Sequence, residues 1–406
     1  MSDDAAPGDL LDPDAAARAA GTLAGLIPES LASTFDASFI RSSHRYDEFV
    51  LRLALRVFVE SGLAAALREP ATAAEAAARA GLEVQRARAP ASWILRRLAA
   101  RGLLRRTGGD EGARFSVGAP LPVLDPDPLR DVQRSEDPSW LPSYVLAETV
   151  AQDYPAFLRG ERAGEDVLFS PARLRLWVEF FSNDNKLYAV NNTVGAVAVE
   201  RWLPPGPARV LELGGGLGSA ALALLACLQQ TGRWKDIVEY RFTEFVPAFL
   251  RRGQAAIERR FPEASFLRPA VLDMNRPLRE QGVEPGSVTL VYAVNTLHVA
   301  RDLDVTLAEI RQALAPGGAL VVSECVRLAP DQTIYAEFVF NLLESFRSPV
   351  LHAVHRPNGG FLAPEHWRAA MQAAGFTDVR LVPDVDTLRH RFPQFNVAAI
   401  GATRAG

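Results

Sequence analysis

Arg209-Val210-Leu211-Glu212-Leu213-Gly214-Gly215-Gly216-Leu217-Gly218-Ser219 decides how this chain is read. A short apolar strand runs straight into a glycine-rich turn, and from Ala220 to Leu228 the pattern becomes helical and apolar. Strand, glycine loop and helix N-terminus together place backbone N–H groups before a polar ligand, and glycine lets that ligand approach the chain. Spacing then selects among ligands. A dinucleotide fingerprint needs glycine at 214, 216 and 219, but position 219 is Ser219; a nucleoside-triphosphate loop needs a Gly-Lys-Ser/Thr ending, which is absent. What remains is an acid at the strand end followed by alternating glycines, Glu212-x-Gly214-x-Gly216-x-Gly218.

Outward from this loop, strands and helices alternate. Tyr240 to Phe245 reads as a second strand, Phe266 to Leu272 as a third and Val288 to Ala293 as a fourth. A helix over Leu303 to Leu314 closes at Pro316-Gly317-Gly318, and Ala319 to Ser323 is a fifth strand. Pro364 to Ala374, Val379 to Val382 and Asn396 to Ala402 supply the last helix and strands. The alternation predicts an α/β fold with an open, doubly wound, Rossmann-like sheet. In such sheets ligands sit beyond the carboxyl ends of the strands. There the second strand offers Glu244, a carboxylate able to accept from both hydroxyls of a ribose. The fourth offers Asn295-Thr296-Leu297-His298, and the fifth Glu324, far enough along the chain for one helix and a neighbouring parallel strand. Imidazole can take up a proton at neutral pH, and a carboxylate beside it would fix its tautomer and raise its basicity.

The Glu212–Gly218 pattern resembles motif I of the class I S-adenosylmethionine-dependent methyltransferases. That resemblance implies S-adenosyl-L-methionine as cofactor and S-adenosyl-L-homocysteine as product. It places Glu212, Gly214, Gly216, Gly218 and Asn295 around the cofactor, Glu244 on its ribose, and Asp273 with Met274 at its adenine. The stretches Tyr240 to Phe245, Asn295 to Leu303 and Leu314 to Glu324 look like the C-methyltransferase domains of polyketide synthases, over roughly residues 180 to 330. There a His and Glu pair deprotonates the α-carbon of a β-keto thioester held on an acyl carrier protein, and His298 and Glu324 occupy the matching places. Two features depart from that family. The usual second-strand acid is Asp, one methylene shorter than Glu244, and the chain is expected to be freestanding. Carbon is the favoured acceptor; oxygen, with the same base, stays open.

The front of the chain supplies the second reading. Residues 1–40 read as a flexible arm, with late docking as a short helix the alternative. Over 41–119 come an apolar helix from Tyr46, an alanine-rich helix capped by Thr72 and Glu75, and a helix from Arg88 with Pro90 in its first turn. A β-hairpin signal follows around Gly108-Gly109-Asp110 and Gly112. This order resembles the winged-helix dimerisation domain of small-molecule O-methyltransferases and implies a homodimer. A DNA-binding regulator using Arg86, Arg88, Arg96, Arg97 and Arg101 on phosphates is the rival reading, as is an enzyme that retains S-adenosylmethionine for other chemistry such as cyclisation. Residues 120–200 read as a linker and helical lid, and 201–406 as the cofactor-binding domain. Tyr188, Asn191 and Asn192, from an asparagine-rich run, are candidate substrate contacts, as are Glu337, Asn341 and His355. His352, His355, His366 and Glu365 lack a compact metal-ligand spacing, so no metal is expected.

Composition sets the outer limits. The chain has 406 residues, 48% hydrophobic, with 44 Lys+Arg against 48 Asp+Glu and a formal net charge of -4. That balance does not favour nucleic acid. No apolar run reaches a membrane span, and the start lacks a secretory signal, so a soluble cytoplasmic protein is expected. Cys227 and Cys325 make no disulfide framework. The expected partners are a small-molecule or carrier-bound acyl substrate, a second copy of the chain and an acyl carrier protein, with no nucleic acid or membrane.

Overall fold

The computed structural model describes residues 12–109, 112–329 and 332–406. They fall into two compact units. The first comprises 12–20, 36–180 and 332–347, and the second 21–35, 181–329 and 348–406.

The first unit is mainly helical. Helix Ala37–Glu60 starts where Asp36 accepts from Phe39 N–H at 2.8 Å, and it buries Phe49, Val50, Leu53, Val57 and Phe58. Helix Ala73–Arg79 opens with the expected reciprocal cap between Thr72 and Glu75. The next helix, Val84–Ala100, begins one turn earlier than the sequence reading placed it. The Glu83 carboxylate accepts from Gln85 and Arg86 N–H, so the cap lies upstream and Pro90 stands inside the helix. Strands β1 (Arg105–Thr107) and β2 (Arg114–Ser116) then pair antiparallel, and Ala71 bridges to Phe115. Asp110, read as part of the hairpin turn, lies outside the described residues. Several arginines weighed as phosphate contacts are engaged internally: Arg97 with Asp47, Arg101 with Glu48, and Arg86 with the Arg162 carbonyl.

Two expectations need correction. The segment around Pro120 to Pro138, read as a connector, contains helix Asp127–Glu136, whose buried Gln133 accepts from Arg45 at 2.7 Å and donates to Ser42. Of the arm read over 1–40, residues 1–11 lie outside the described residues. The rest carries helices Pro13–Ala24 and Glu29–Ala32, with Leu23, Leu31 and Phe35 buried. Alanine-rich sequence hides the periodicity that three well-spaced apolar side chains are enough to anchor.

The second unit is built on one seven-stranded sheet. Its strands are β3 (Ala208–Leu213), β4 (Ile237–Glu244), β5 (Leu267–Val271), β6 (Val288–Val294), β7 (Leu314–Cys325), β8 (Phe376–Val382) and β9 (Val397–Arg404). Their order is β5-β4-β3-β6-β7-β9-β8, with β3 to β7 parallel and β9 antiparallel to both its neighbours. This is the predicted doubly wound α/β architecture. The order reverses between β3 and β6, so the glycine loop leaving β3 opens at the switch point where such sheets bind ligands. Among the described residues no helix is long and apolar enough to cross a membrane.

Candidate active site

The glycine loop is shaped by positive φ angles and close packing. Gly214, Gly216 and Gly218 take φ of +64°, +56° and +85°. A Cβ on Gly214 would lie 2.5 Å from Thr296 Cγ2, and one on Gly215 would strike the Phe242 ring at 2.2 Å. By contrast, a Cβ on Gly216 would meet nothing nearer than 4.0 Å. The loop therefore needs glycine for conformation at three places and for space at two.

Glu244 closes β4 beside it. Its carboxylate accepts from Gly216 N–H at 3.0 Å and Val246 N–H at 2.8 Å, which ties the second strand to the loop and leaves further lone pairs on both oxygens. Glu212 behaves differently. Its side chain is buried at 1% exposure and accepts from the Tyr240 hydroxyl at 3.0 Å, and its Oε1 has no partner. Burial, opposed by the Tyr240 bond and assisted by the Glu244 charge, pushes its carboxyl up to about 8. Glu212 thus sits in the strand interior as a neutral acid near pH 7, beneath the loop. Asp273, just beyond β5, is half-buried; its backbone is clasped by the Gln281 amide, with bonds of 2.8 Å to both N–H and C=O. Met274 follows, also half-buried.

His298 lies on a single turn, Leu297–Val299, just past β6. Its Nδ1 is 2.7 Å from Glu324 Oε2, and the two side chains are 6% and 0% exposed. The other oxygen, Oε1, accepts from the backbone N–H groups of Thr296, Leu297 and His298 at 3.1, 2.9 and 3.3 Å. One carboxylate therefore gathers the turn and orients the ring it carries. The imidazole also lies against Phe361, ring centroids 4.7 Å apart. Buried Arg356 donates to the carbonyls of His298 and Ala300 at 2.9 and 2.7 Å. With Nδ1 committed to the carboxylate, Nε2 is the ring nitrogen turned away from it.

Beside this pair stands Asn295, at φ +50°, whose side-chain oxygen accepts from Asn191. Asn191 and Asn192 belong to helix Lys186–Trp202, where Asn192 donates to Asn183 at 2.8 Å and Asn183 to the Ser219 carbonyl at 2.8 Å. The asparagine run is thus spent largely on binding this helix to the end of β6 and to the helix after the glycine loop. Tyr188, one turn before, packs its ring on Phe181 at 5.0 Å. Its hydroxyl is held protonated by burial first, and then by the charges of Glu212, Glu244, Glu324 and Cys325.

Three further candidates have hydrogen bonds or burial within their own units. Glu337 is in the first unit, where it accepts from Trp93 Nε1 at 3.0 Å and from Ile334 N–H at 2.8 Å. Asn341 ends the same short helix and is buried. His355 Nε2 is 2.6 Å from Asp304 Oδ1, and its ring is stacked on His352. Sequence reasoning missed Thr296, Tyr240 and Arg356. Strand alternation is a signal for Tyr240, which pairs with Val210 two residues before Glu212, but nothing in the sequence points to Arg356.

Known proteins agree with this architecture. Residues 211–320 match the family model described as a methyltransferase domain, so a methyltransferase domain is what the sheet and its loop define. The chain resembles the carbon methyltransferase domains of polyketide synthases. It is 32% identical over 336 residues, 77% of its length, to polyketide synthase ThaQ of Burkholderia thailandensis, of which it spans 15%. It is 34% identical over 185 residues, 44% of its length, to the highly reducing polyketide synthase otaA of Aspergillus carbonarius, of which it spans 7%. The chain thus covers a small part of these relatives. Its fold is that of the CurJ carbon methyltransferase, with a TM-score of 0.74 and 23% identity over 98% of this chain and 100% of that one. The citrinin polyketide synthase CMeT domain superposes with a TM-score of 0.69 and 18% identity, over 98% and 99% of the two chains.

Proposed function

We propose that the chain methylates the α-carbon of a β-keto thioester from S-adenosylmethionine, with His298 as the base and Glu324 as the group that orients it. The observation that carries this reading is the 2.7 Å pair between His298 Nδ1 and Glu324 Oε2 at adjacent strand ends. The residues present fit the cofactor. Gly216 offers open space at positive φ, and Glu244 presents a carboxylate at the neighbouring strand end. Gly214, Gly216, Gly218, Glu244, Asp273, Met274 and Asn295 would hold it, with Glu212 supporting the loop from beneath. When bound, the cofactor supplies a sulfonium methyl group that needs no metal activation.

His298 Nε2 would take the proton from the acceptor carbon as the C–H bond breaks. The electron pair left behind would form the new C–C bond while the donor's S–CH3 bond breaks, its pair staying on sulfur and S-adenosylhomocysteine leaving. Glu324 keeps Nδ1 protonated and offsets the charge the ring gains. Phe361 and the burial of both groups limit water at the base. Homodimer assembly through the helical first unit, and delivery of the substrate on an acyl carrier protein, belong to the same proposal. The helix, helix, helix, hairpin order of residues 41–119, like a winged-helix dimerisation domain, supports the first, and resemblance to the polyketide synthase relatives supports the second.

The test is a β-ketoacyl pantetheine thioester with isotopically labelled methyl donor, read by product NMR. A label on the α-carbon, and a loss of about 10²- to 10⁴-fold in rate for His298→Ala with cofactor affinity retained, are expected. A label on oxygen would transfer the same base to O-methylation. An unchanged rate in the variant would remove His298 from the chemistry.

A further inference from the structure

In the second unit, the backbone from His352 to Arg356 closes into a narrow turn. His352 N–H donates to the Arg356 carbonyl at 2.9 Å, and Arg356 N–H to the His352 carbonyl at 3.0 Å. This closure stacks the His352 and His355 rings with centroids 3.7 Å apart and planes 6° from parallel. Nε2 of His355 lies 2.6 Å from Oδ1 of Asp304, in the first turn of helix Leu303–Ala313. One donor atom from each of Asp304, His352 and His355 lies within 4.8 Å of the other two. His355 is buried, whereas His352 and Asp304 are exposed.

Two imidazoles and one carboxylate come together here from a turn and a helix start, and ring nitrogens with one carboxylate are a ligand set suited to a borderline metal. We propose that Asp304, His352 and His355 form a binding site for one divalent transition-metal ion of the zinc type, its remaining position taken by water.

The dimensions allow it. Metal–nitrogen and metal–oxygen bonds of about 2.0–2.2 Å at tetrahedral angles put donors roughly 3.3–3.5 Å apart. The three donors lie within 4.8 Å of one another, and rotation of the exposed His352 out of its stack, together with exposed Asp304, would turn the lone pairs toward a common point. In the mode proposed, His352 would coordinate through Nδ1 and give up the 3.2 Å bond that Val354 N–H now donates to it. Nitrogen donors disfavour magnesium and calcium, which take oxygen ligands. Of the neighbouring charges, Asp302 adds to the attraction for a cation, while the Arg356 guanidinium is turned inward onto the carbonyls of His298 and Ala300. The site is separate from the His298–Glu324 pair and does not depend on the methyl-transfer reading. It would nonetheless pin the turn that carries Arg356, and so the turn that carries His298.

The experiment uses the full chain, free of any affinity tag and stripped with chelator, titrated with Zn²⁺ by calorimetry and with Co²⁺ by visible absorption. One equivalent should bind. His352→Ala, His355→Ala and Asp304→Asn should each weaken binding at least about 10-fold, the lower bound that loss of even an outer-shell partner brings. His298→Ala and His390→Ala should bind as the parent does. Because His352 is exposed, its variant is expected to fold, and circular dichroism checks that. Amide exchange at Val354 should quicken on metal addition. Absence of saturable binding, wild-type affinity in His352→Ala, or loss of binding in His390→Ala would each overturn the assignment.

Discussion

Replacing Glu324 by glutamine separates its two duties. The side chain is fully buried, and one oxygen holds three backbone N–H groups while the other holds His298 Nδ1. In Glu324→Gln the amide oxygen can still accept from the backbone, but the amide nitrogen now faces Nδ1 as a donor. The ring must present Nδ1 as an acceptor and carry its proton on Nε2, the tautomer that cannot act as a base. Loss of a buried hydrogen bond to a charged partner is worth about 1.5–3 kcal/mol, and reversing the tautomer adds to this. Together roughly 4 kcal/mol is at stake, a fall in turnover on the order of 10³-fold. Glu324→Ala would in addition strand three buried N–H groups at about 1–3 kcal/mol each, so its melting temperature should fall by several degrees while that of Glu324→Gln stays near the parent's. Single-turnover methyl transfer to the thioester, with thermal melts of both variants, reads the two effects. A Glu324→Gln rate within about threefold of the parent, or equal melting temperatures for the two variants, would refute the division of roles.

Glu212 makes stability depend on pH. Its folded-state value of about 8 lies above that of an exposed carboxyl, so between roughly pH 4.5 and 8 the native state binds the extra proton. Stability contributed by this group is therefore full at the acid end and declines as pH rises, by up to about 1.4 kcal/mol per unit, levelling above 8. Glu212→Gln should remove that slope, and superimposable melting profiles from pH 5 to 8 would contradict the burial argument. Arg356→Met deletes both donors to the carbonyls around His298. It should lower turnover about 10- to 100-fold with cofactor binding little changed, and Arg356→Lys, able to reach one carbonyl, should recover part; an unchanged rate in the methionine variant would deny Arg356 a positioning role.

The fold was legible because its signals are local and periodic. An apolar strand meeting Gly214, Gly216 and Gly218 sets the switch point, and the strand ends at Glu244, His298 and Glu324 follow from the period of a parallel sheet. Boundaries slipped where an unexpected cap decided them, as at Glu83, whose carboxylate moved a helix start upstream of Pro90. The site was legible where one strand end carried its chemistry. It was hidden where partners came from distant sequence. Tyr240 reaches Glu212 across the sheet, Arg356 reaches back to His298, and Trp93 claims Glu337, which the sequence alone left available for substrate. Asn191 and Asn192 looked like pocket donors, yet much of their bonding capacity serves the contacts of their own helix.

The methyl-transfer reading requires that the glycine loop bind a sulfonium nucleoside. Calorimetry with S-adenosylhomocysteine measures this directly, and one saturable equivalent is predicted. Gly214→Ala, whose φ of +64° and contact with Thr296 both oppose a side chain, should bind at least about tenfold more weakly. A folded parent protein that takes up neither S-adenosylhomocysteine nor S-adenosylmethionine would contradict the account.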